Sequence, residues 1–191
     1  MTAAGLIFAN IHDQSIPELT RVRSMASVPF GCRYRLIDFT LSNMVNSGIN
    51  RIGLITHHNY QSLLDHIGTG KDWDLARRSG GIKILPPYIT AHANTQNSLY
   101  TTRLEALKSV SYILERLTAD YVVLSDCDVI CNVDFNDLIK FHRESGADFT
   151  MAVKTVELDE KAAESSTIFY SDENGTVTDV LAFPKKFKGT A

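Results

Sequence analysis

The amino-acid sequence predicts an α/β fold built on a mostly parallel sheet with helices on both faces. Short apolar runs of strand length alternate along the chain with longer segments in which apolar residues recur every three to four positions. Such alternation is typical of parallel strands joined by helical crossovers, because each crossover returns the chain to the same end of the sheet. The 191 residues, 44% of them hydrophobic, are enough to bury one substantial core. We therefore predict one domain over residues 1–191, truncated at its C-terminal end.

The predicted strands are short and apolar, and each is followed by polar or turn-forming residues. They cover residues 3–9, 51–56, 81–85 and 121–124. The predicted helices lie at residues 33–47, 60–67, 99–117 and 136–144. An extended segment at residues 148–156 follows, and then a hairpin of residues 166–170 and 176–183 that turns at Asn174-Gly175.

Two of the helices are supported by the spacing of their apolar residues. In the first, Ile37, Leu41, Met44 and Val45 fall on one face, and Gly48 follows the end of the helix. In the helix at 99–117 the apolar stripe consists of Leu104, Leu107, Val110, Ile113, Leu114 and Leu117. This spacing is close to the helical period, so we expect both faces to pack on the sheet.

Composition excludes several classes of function. The formal net charge is −3 and the pI about 6.0, whereas a nucleic-acid-binding domain carries a basic surface. No stretch approaches the ~18–20 consecutive apolar residues that a membrane-spanning helix needs. The three cysteines form no disulfide framework, which is typical of a reducing compartment. We expect a cytoplasmic protein that binds neither nucleic acid nor a membrane.

The candidate site lies beyond the carboxyl ends of the predicted strands, where parallel sheets bind ligands. The loops to inspect begin after Ala9, Leu85 and Leu124, and two carboxylates, Asp126 and Asp128, follow the last of these strands. Carboxylate oxygens are ligands for Mg²⁺. Aspartate side chains also cap turns, so a metal site and a structural turn both stay open for these two residues.

Residues 28–49 carry a motif. The chain reads VPFGCRYRLIDF over residues 28–39, LSN over 41–43 and NSGI over 46–49. This pattern resembles the sugar-nucleotide pyrophosphorylases and is most similar to the glucose-1-phosphate adenylyltransferases. The resemblance implies a Rossmann-like nucleotidyltransferase domain that joins ATP and glucose 1-phosphate into ADP-glucose and pyrophosphate, with Mg²⁺ as cofactor. It also implies a C-terminal β-helix domain, which we expect to be absent from these residues.

The loop after the first predicted strand departs from that family. The resemblance implies a glycine-rich loop there, whose backbone N–H groups approach a triphosphate. This chain instead has larger side chains, among them Asn10, His12 and Asp13, and no glycine between Gly5 and Gly31. Asp13 adds negative charge where the triphosphate would lie. Like-charge repulsion should therefore weaken nucleotide binding.

Two positions that the resemblance implies to be catalytic are altered. Met25 stands where the family has a lysine that neutralises phosphate charge, and Cys127 stands where it has a metal-binding aspartate. A methionine neither donates a hydrogen bond nor carries charge. Side chains alternate along extended backbone, so Asp126 and Asp128 would not point where residue 127 points. We expect no Mg²⁺ bound by this chain; the alternative is a register shift that brings Asp126 or Asp128 to the metal.

Two further motifs of the resemblance are changed in part. Residues 102–106 place larger side chains where the family has a small-residue motif that contacts nucleotide and sugar, and these would crowd a phosphosugar. Lys186 stands where the family's sugar-phosphate motif has its lysine. It is therefore the candidate for sugar-phosphate binding.

The departures fall on loops, whereas the matching residues are those that a core requires. This pattern resembles the regulatory GlgD-type subunits of bacterial glycogen synthesis, which pair with a catalytic homologue. We interpret the chain as a regulatory, catalytically impaired subunit of a glucose-1-phosphate adenylyltransferase. It would form a hetero-oligomer with such a homologue, or a homo-oligomer, and respond to a small-molecule effector. The alternatives are an active sugar-1-phosphate nucleotidyltransferase, and a nucleotide- or sugar-phosphate-sensing module without catalysis.

Overall fold

The chain forms two compact units, Met1–Ser145 and Gly146–Ala191, and each is described by itself. A computed structural model describes residues 2–77, 79–86, 100, 102–185 and 189–190. Within these ranges, no helix has the length and apolar character needed to traverse a bilayer, and no β-helix domain is present.

A four-stranded parallel sheet is the centre of the first unit. The unit begins with β1 (Ala3–Phe8), α1 (Pro17–Thr20), β2 (Pro29–Phe30), β3 (Tyr34–Arg35) and α2 (Leu36–Asn46). It continues with β4 (Arg51–Ile55), α3 (Gln61–Ile67), β5 (Gly81–Leu85), α4 (Arg103–Ser109), α5 (Ser111–Leu114), β6 (Tyr121–Asp126) and α6 (Phe135–Ser145). The strand order is β5-β4-β1-β6, and all three pairings are parallel. The predicted parallel sheet is confirmed.

The central strand β1 is buried on both faces because alternate side chains meet different helical layers. Ile7 lies in a core that includes residues of α2 and α3, whereas Leu6 and Phe8 lie in a second core with Ala106 and Val110. Helices therefore cover both faces of the sheet, as the sequence predicts.

The helix predicted at residues 33–47 begins later, at Leu36. Gly31 and Cys32 both have positive φ (57° and 68°), so the chain turns tightly there and β3 pairs back on β2. The prediction was wrong for residues 33–35 because a local turn, rather than the apolar spacing, decides their backbone. The backbone N–H of Arg35 donates to the Asp38 carboxylate (3.0 Å) and so caps the start of α2.

The long helix predicted at residues 99–117 is shorter and broken. α4 begins after Thr102, whose hydroxyl accepts from the Glu105 N–H (3.3 Å), and it ends at Val110, where φ is −113° and ψ is 12°. Leu104 is 62% exposed, so its assignment to the buried face was wrong. The face that packs on the sheet carries Ala106 and Val110, and Leu104 lies about 200° around the helix from Ala106.

The second unit contains the predicted hairpin. Its elements are β7 (Glu157–Leu158), α7 (Glu160–Ala163), β8 (Thr167–Ser171), β9 (Val177–Ala182) and β10 (Gly189–Thr190). β8 and β9 pair antiparallel, and Gly175 has a φ of 80° between them, which confirms the hairpin. The extended segment predicted at residues 148–156 contains no strand; the short β7 after it pairs with β10 instead.

Gly5 tests the packing between β1 and α2. A Cβ at this position would lie 2.4 Å from the Met44 Sδ, and Met44 is fully buried. We expect Gly5→Ala to lower the free energy of unfolding by about 1–3 kcal/mol through overpacking, as measured by urea denaturation.

The matched control uses Met44→Val, which removes the sulfur atom that the new methyl group would meet. In that background Gly5→Ala should cost less, so the double-mutant cycle should show coupling. An equal cost in both backgrounds would contradict the overpacking explanation.

Candidate functional site

The candidate site lies at the carboxyl edge of the sheet, where the segments that follow β1, β4 and β6 meet. Asn10 connects the first two. Its amide nitrogen donates to the Asp13 carboxylate (2.7 Å) and to the His58 carbonyl (3.2 Å). Its amide oxygen accepts from the Thr56 hydroxyl (2.6 Å) and from the His57 N–H (3.1 Å). Asn10 is thus a buried crosslink whose polar atoms are already engaged within the protein.

Asp13 holds the same loop from inside. It is 5% exposed and accepts from the Met25 N–H and the Asn10 amide, each at 2.7 Å, while the His58 Nε2 lies 3.4 Å away. Burial raises the pKa of Asp13 above its ordinary value, against the effect of these hydrogen bonds. The repulsion between Asp13 and a triphosphate stays a prediction, and the structure adds that its carboxylate is buried and hydrogen-bonded within the protein.

Two acidic and two basic side chains form a network that connects the loop after β1 with the carboxyl end of β6. The His12 Nδ1 lies 2.7 Å from the Asp128 Oδ2, and the Arg103 Nη2 lies 3.0 Å from the His12 Nε2. Arg103 also donates two hydrogen bonds to the Asp126 carboxylate, one of them from its Nε at 3.0 Å. We call these four residues the acid–base network. Each carboxylate in it is matched by one basic side chain of the same chain.

The tautomer of His12 follows from these contacts. Because Arg103 only donates, the His12 Nε2 must accept, and so the proton of the neutral ring lies on Nδ1 and points to Asp128. The hydrogen bond to Asp128 raises the pKa of His12, while partial burial and Arg103 oppose protonation. Burial would raise the pKa of Asp128, but the His12 hydrogen bond and charge hold it below its ordinary value.

The donor set of the network does not fit Mg²⁺ as it stands. One ligand atom each from His12, Asp126 and Asp128 lie within 4.8 Å of one another, which is close enough for a metal ion. Mg²⁺, however, prefers oxygen ligands in a regular octahedron, and here one donor is an imidazole nitrogen. Arg103 also occupies both oxygens of Asp126. A divalent ion would have to displace that guanidinium first.

Cys127 points away from the acid–base network. It is 2% exposed, belongs to the core that includes α2, and its thiol lies 3.6 Å from the Ala9 carbonyl oxygen. Burial, reinforced by the neighbouring carboxylates, raises the pKa of the Cys127 thiol well above its ordinary value. Cys127 and Asp128 form a turn directly after β6, and the two aspartates lie together while residue 127 lies in the core.

Met25 also lies in the core. Its side chain is 2% exposed, and its backbone N–H donates to Asp13. The structure thus places Met25 and Cys127 in one apolar cluster rather than beside the acid–base network. Lys186, the predicted sugar-phosphate ligand, lies outside the described residues.

Sequence reasoning missed Arg103 as a functional residue, since it treated residues 102–106 only as bulk. A sequence signal for it exists, because Thr102 and Glu105 form the capping pattern of a helix start. That pattern places residue 103 in the first turn of a helix, at the carboxyl edge of the sheet. Tyr100 was also missed, whereas for His57, which follows a predicted strand, the sequence leaves both a cleft position and a structural loop position open. Burial, with a contribution from His58, lowers the pKa of His57 to about 4, and its ring lies 4.8 Å from that of Tyr100. The Tyr100 hydroxyl is buried and has no hydrogen-bond partner among the described residues.

The comparison with protein families agrees with this geometry. The family model described as Nucleotidyl transferase matches residues 16–189, which is most of the chain. The chain belongs to the nucleotidyl transferase family. A parallel sheet with its loops gathered at the carboxyl edge is the architecture in which such a site is expected.

Three similar proteins show which members of the family this chain resembles. The chain is 37% identical to glucose-1-phosphate adenylyltransferase of Clostridium acetobutylicum over 184 residues (96% of this chain, 47% of the relative). It is 38% identical to the Thermotoga maritima protein of the same name over 182 residues (95% and 42%). It is also 36% identical to the glycogen biosynthesis protein GlgD of Bacillus subtilis over 146 residues (76% and 41%). The chain thus spans less than half the length of these relatives.

Thiol reactivity tests the placement of the cysteines. Cys32 and Cys131 are exposed, whereas Cys127 is buried with a raised pKa. We expect two thiols to react quickly with an aromatic disulfide reagent in the folded protein and the third only on unfolding. Cys127→Ser should leave the fast phase unchanged, and Cys32→Ser should halve it. A fast third thiol would contradict the buried position of Cys127.

The titration of His12 tests the acid–base network. We expect its imidazole pKa, measured by NMR, to lie above the ordinary value of 6.5. Asp128→Asn should lower it, and Arg103→Gln should raise it further, because Arg103 opposes protonation. Asp137→Asn on α6 is the control and should change nothing.

The same shift gives a pH dependence of stability. Since the folded pKa of His12 is raised above its unfolded value, the stabilisation is fully present below the unfolded pKa and is lost as pH rises through the folded pKa. The difference in free energy of unfolding between wild type and Asp128→Asn should become smaller as the pH rises from the unfolded to the folded pKa of His12. A difference that grows with rising pH there would be inconsistent with the pairing.

Proposed function

We propose that this chain is part of a regulatory, catalytically impaired subunit of a glucose-1-phosphate adenylyltransferase in glycogen biosynthesis. The reaction type and pathway come from the names of its relatives, two of which are adenylyltransferases and one a glycogen biosynthesis protein. The single observation that carries the regulatory part is the acid–base network, in which the chain's own bases neutralise the acids after β6.

The chemistry of nucleotidyl transfer explains why this network matters. Phosphoryl-type transfer requires little covalent work from the protein and depends on positioning and on neutralising charge at the reacting phosphate. Arg103 donates to both oxygens of Asp126 and neutralises its charge, so a metal ion would have to compete with that guanidinium for the carboxylate. His12 contacts Asp128 through Oδ2 alone.

The loop after β1 supports the same proposal. In a phosphate-binding loop, backbone N–H groups are free to face the ligand. Here the loop is folded on itself: the Asn10 amide is fully engaged, and the Met25 N–H donates to Asp13. The side chains of Asn10 and Asp13 are therefore committed to hydrogen bonds within the protein.

The proposed partner is a catalytic homologue, with which this chain would form a hetero-oligomer. The parallel sheet and its two cores are intact, so the chain can present a folded surface without performing chemistry. Its association would change the affinity of the partner for substrate. Such a coupling free energy is typically ~1–3 kcal/mol.

Pyrophosphate release tests this proposal. Full-length protein supplied with ATP, glucose 1-phosphate and Mg²⁺ should show no turnover above a blank. Mixed with the catalytic homologue from the same organism, it should change the homologue's kcat or KM by at least about fivefold. Heat-unfolded protein is the control for the mixture, and every other sample must show a folded near-ultraviolet circular dichroism spectrum.

Two outcomes would overturn the proposal. Turnover by the full-length protein alone would favour the active nucleotidyltransferase, for which the close approach of His12, Asp126 and Asp128 is the supporting observation. No effect on the homologue, together with ligand-dependent stabilisation, would favour the sensing module. Cys127→Asp alone should not restore turnover, because residue 127 lies in the core and not in the acid–base network.

A further inference from the structure

A second cavity lies at the other edge of the sheet, towards the amino ends of the strands. Its volume is about 200 Å³, and it lies between the sheet face that carries Leu6 and the segment 113–118. Its floor is formed by Ala4 and Gly53, whose small size leaves room beneath that segment. None of the residues of the acid–base network lines it. It is therefore separate from the candidate site.

The cavity is positively charged. Arg51, Lys83 and Arg116 line it, and none of its described lining residues is acidic. The whole chain has a formal net charge of −3, so three cations around one small cavity are not a consequence of composition. None of the three takes part in an ion pair with a carboxylate of the described residues. Arg51 is half-buried and Lys83 and Arg116 are exposed, and an anion bound in the cavity would meet all three charges.

Hydrogen-bonding groups complete the lining. The Arg51 Nη1 donates to the Thr118 hydroxyl (2.7 Å), which holds the guanidinium in place at the start of β4. Ser79 also lines the cavity, while Leu85 and Ile113 supply an apolar wall. A site of cations, hydroxyls and one apolar wall suits a small organic anion better than a bare inorganic ion.

We propose that the Arg51–Lys83–Arg116 cavity binds a small metabolite that carries one or two phosphate or carboxylate groups. A volume of about 200 Å³ accommodates a small metabolite. Guanidinium and ammonium groups bind phosphate and carboxylate oxygens through charge-assisted hydrogen bonds. The proposal does not depend on whether the chain is catalytic.

Calorimetric titration of the full-length protein tests this proposal with four probes: inorganic phosphate, glucose 6-phosphate, succinate and glucose. Anionic probes should bind saturably at one site per chain, and glucose should not. Stronger binding of glucose 6-phosphate would identify a phosphate ester, and stronger binding of succinate a dicarboxylate. Lys83→Gln and Arg116→Gln should each weaken the preferred anion by about tenfold or more. The conservative Arg116→Lys should retain most of the affinity.

Two control variants separate this site from other cations. Lys140→Gln removes an exposed charge on α6, and Arg103→Gln opens the acid–base network; neither should change the affinity. Loss of binding in Arg103→Gln but not in Lys83→Gln would assign the anion to the candidate site and overturn the proposal. Absence of saturable binding at millimolar concentrations would overturn it as well. Neither result would bear on the pyrophosphate assay, so the two proposals fail independently.

Discussion

The turn at the end of β6 is the constraint on which the candidate site depends. β6 ends at Asp126, and Cys127 and Asp128 form the turn that follows it, which leaves both carboxylates beside His12 and Arg103 and directs Cys127 into the core. The thiol packs in the apolar core, and the two carboxylates lie together at the carboxyl edge of the sheet. Two carboxylates so close to each other need positive charge nearby, and Arg103 and His12 supply it. The chemistry of this edge follows from the way that turn separates the thiol from the two carboxylates.

Asn10 has a comparable role on the neighbouring strand. One buried amide satisfies donors and acceptors from the end of β4 and from its own loop, and so joins two loops that are distant in sequence. A glycine at this position would leave the Thr56 hydroxyl and the His58 carbonyl without these partners in a buried place, which is costly. The rigid loop is thus stable for a reason unrelated to phosphate binding. In this chain, hydrogen-bonded side chains fill the space that a glycine-rich loop would leave open to a ligand.

The features that were predictable from the sequence are those with local causes. Apolar runs and helical spacing identify the four strands of the sheet, the face of α2 and the hairpin of the second unit. The sequence also places Asp126 and Asp128 at the carboxyl edge, because strand ends meet there. The pairing of His12 with Asp128 could not be predicted, since the two residues are 116 positions apart and meet only when β1 and β6 align. The inward position of Asp13 and the outward position of Leu104 likewise depend on packing that no local pattern records.

The turn at Gly31 and Cys32 has an energetic consequence for the first unit. A side chain in left-handed backbone costs roughly 1–2 kcal/mol, and Cys32 bears this penalty in a ribbon of only two residue pairs. So few pairs return little free energy against the strain. The attachment of the ribbon therefore depends on side-chain packing rather than on its own pairing: the rings of Phe30 and Tyr34 both contact Phe39 of α2.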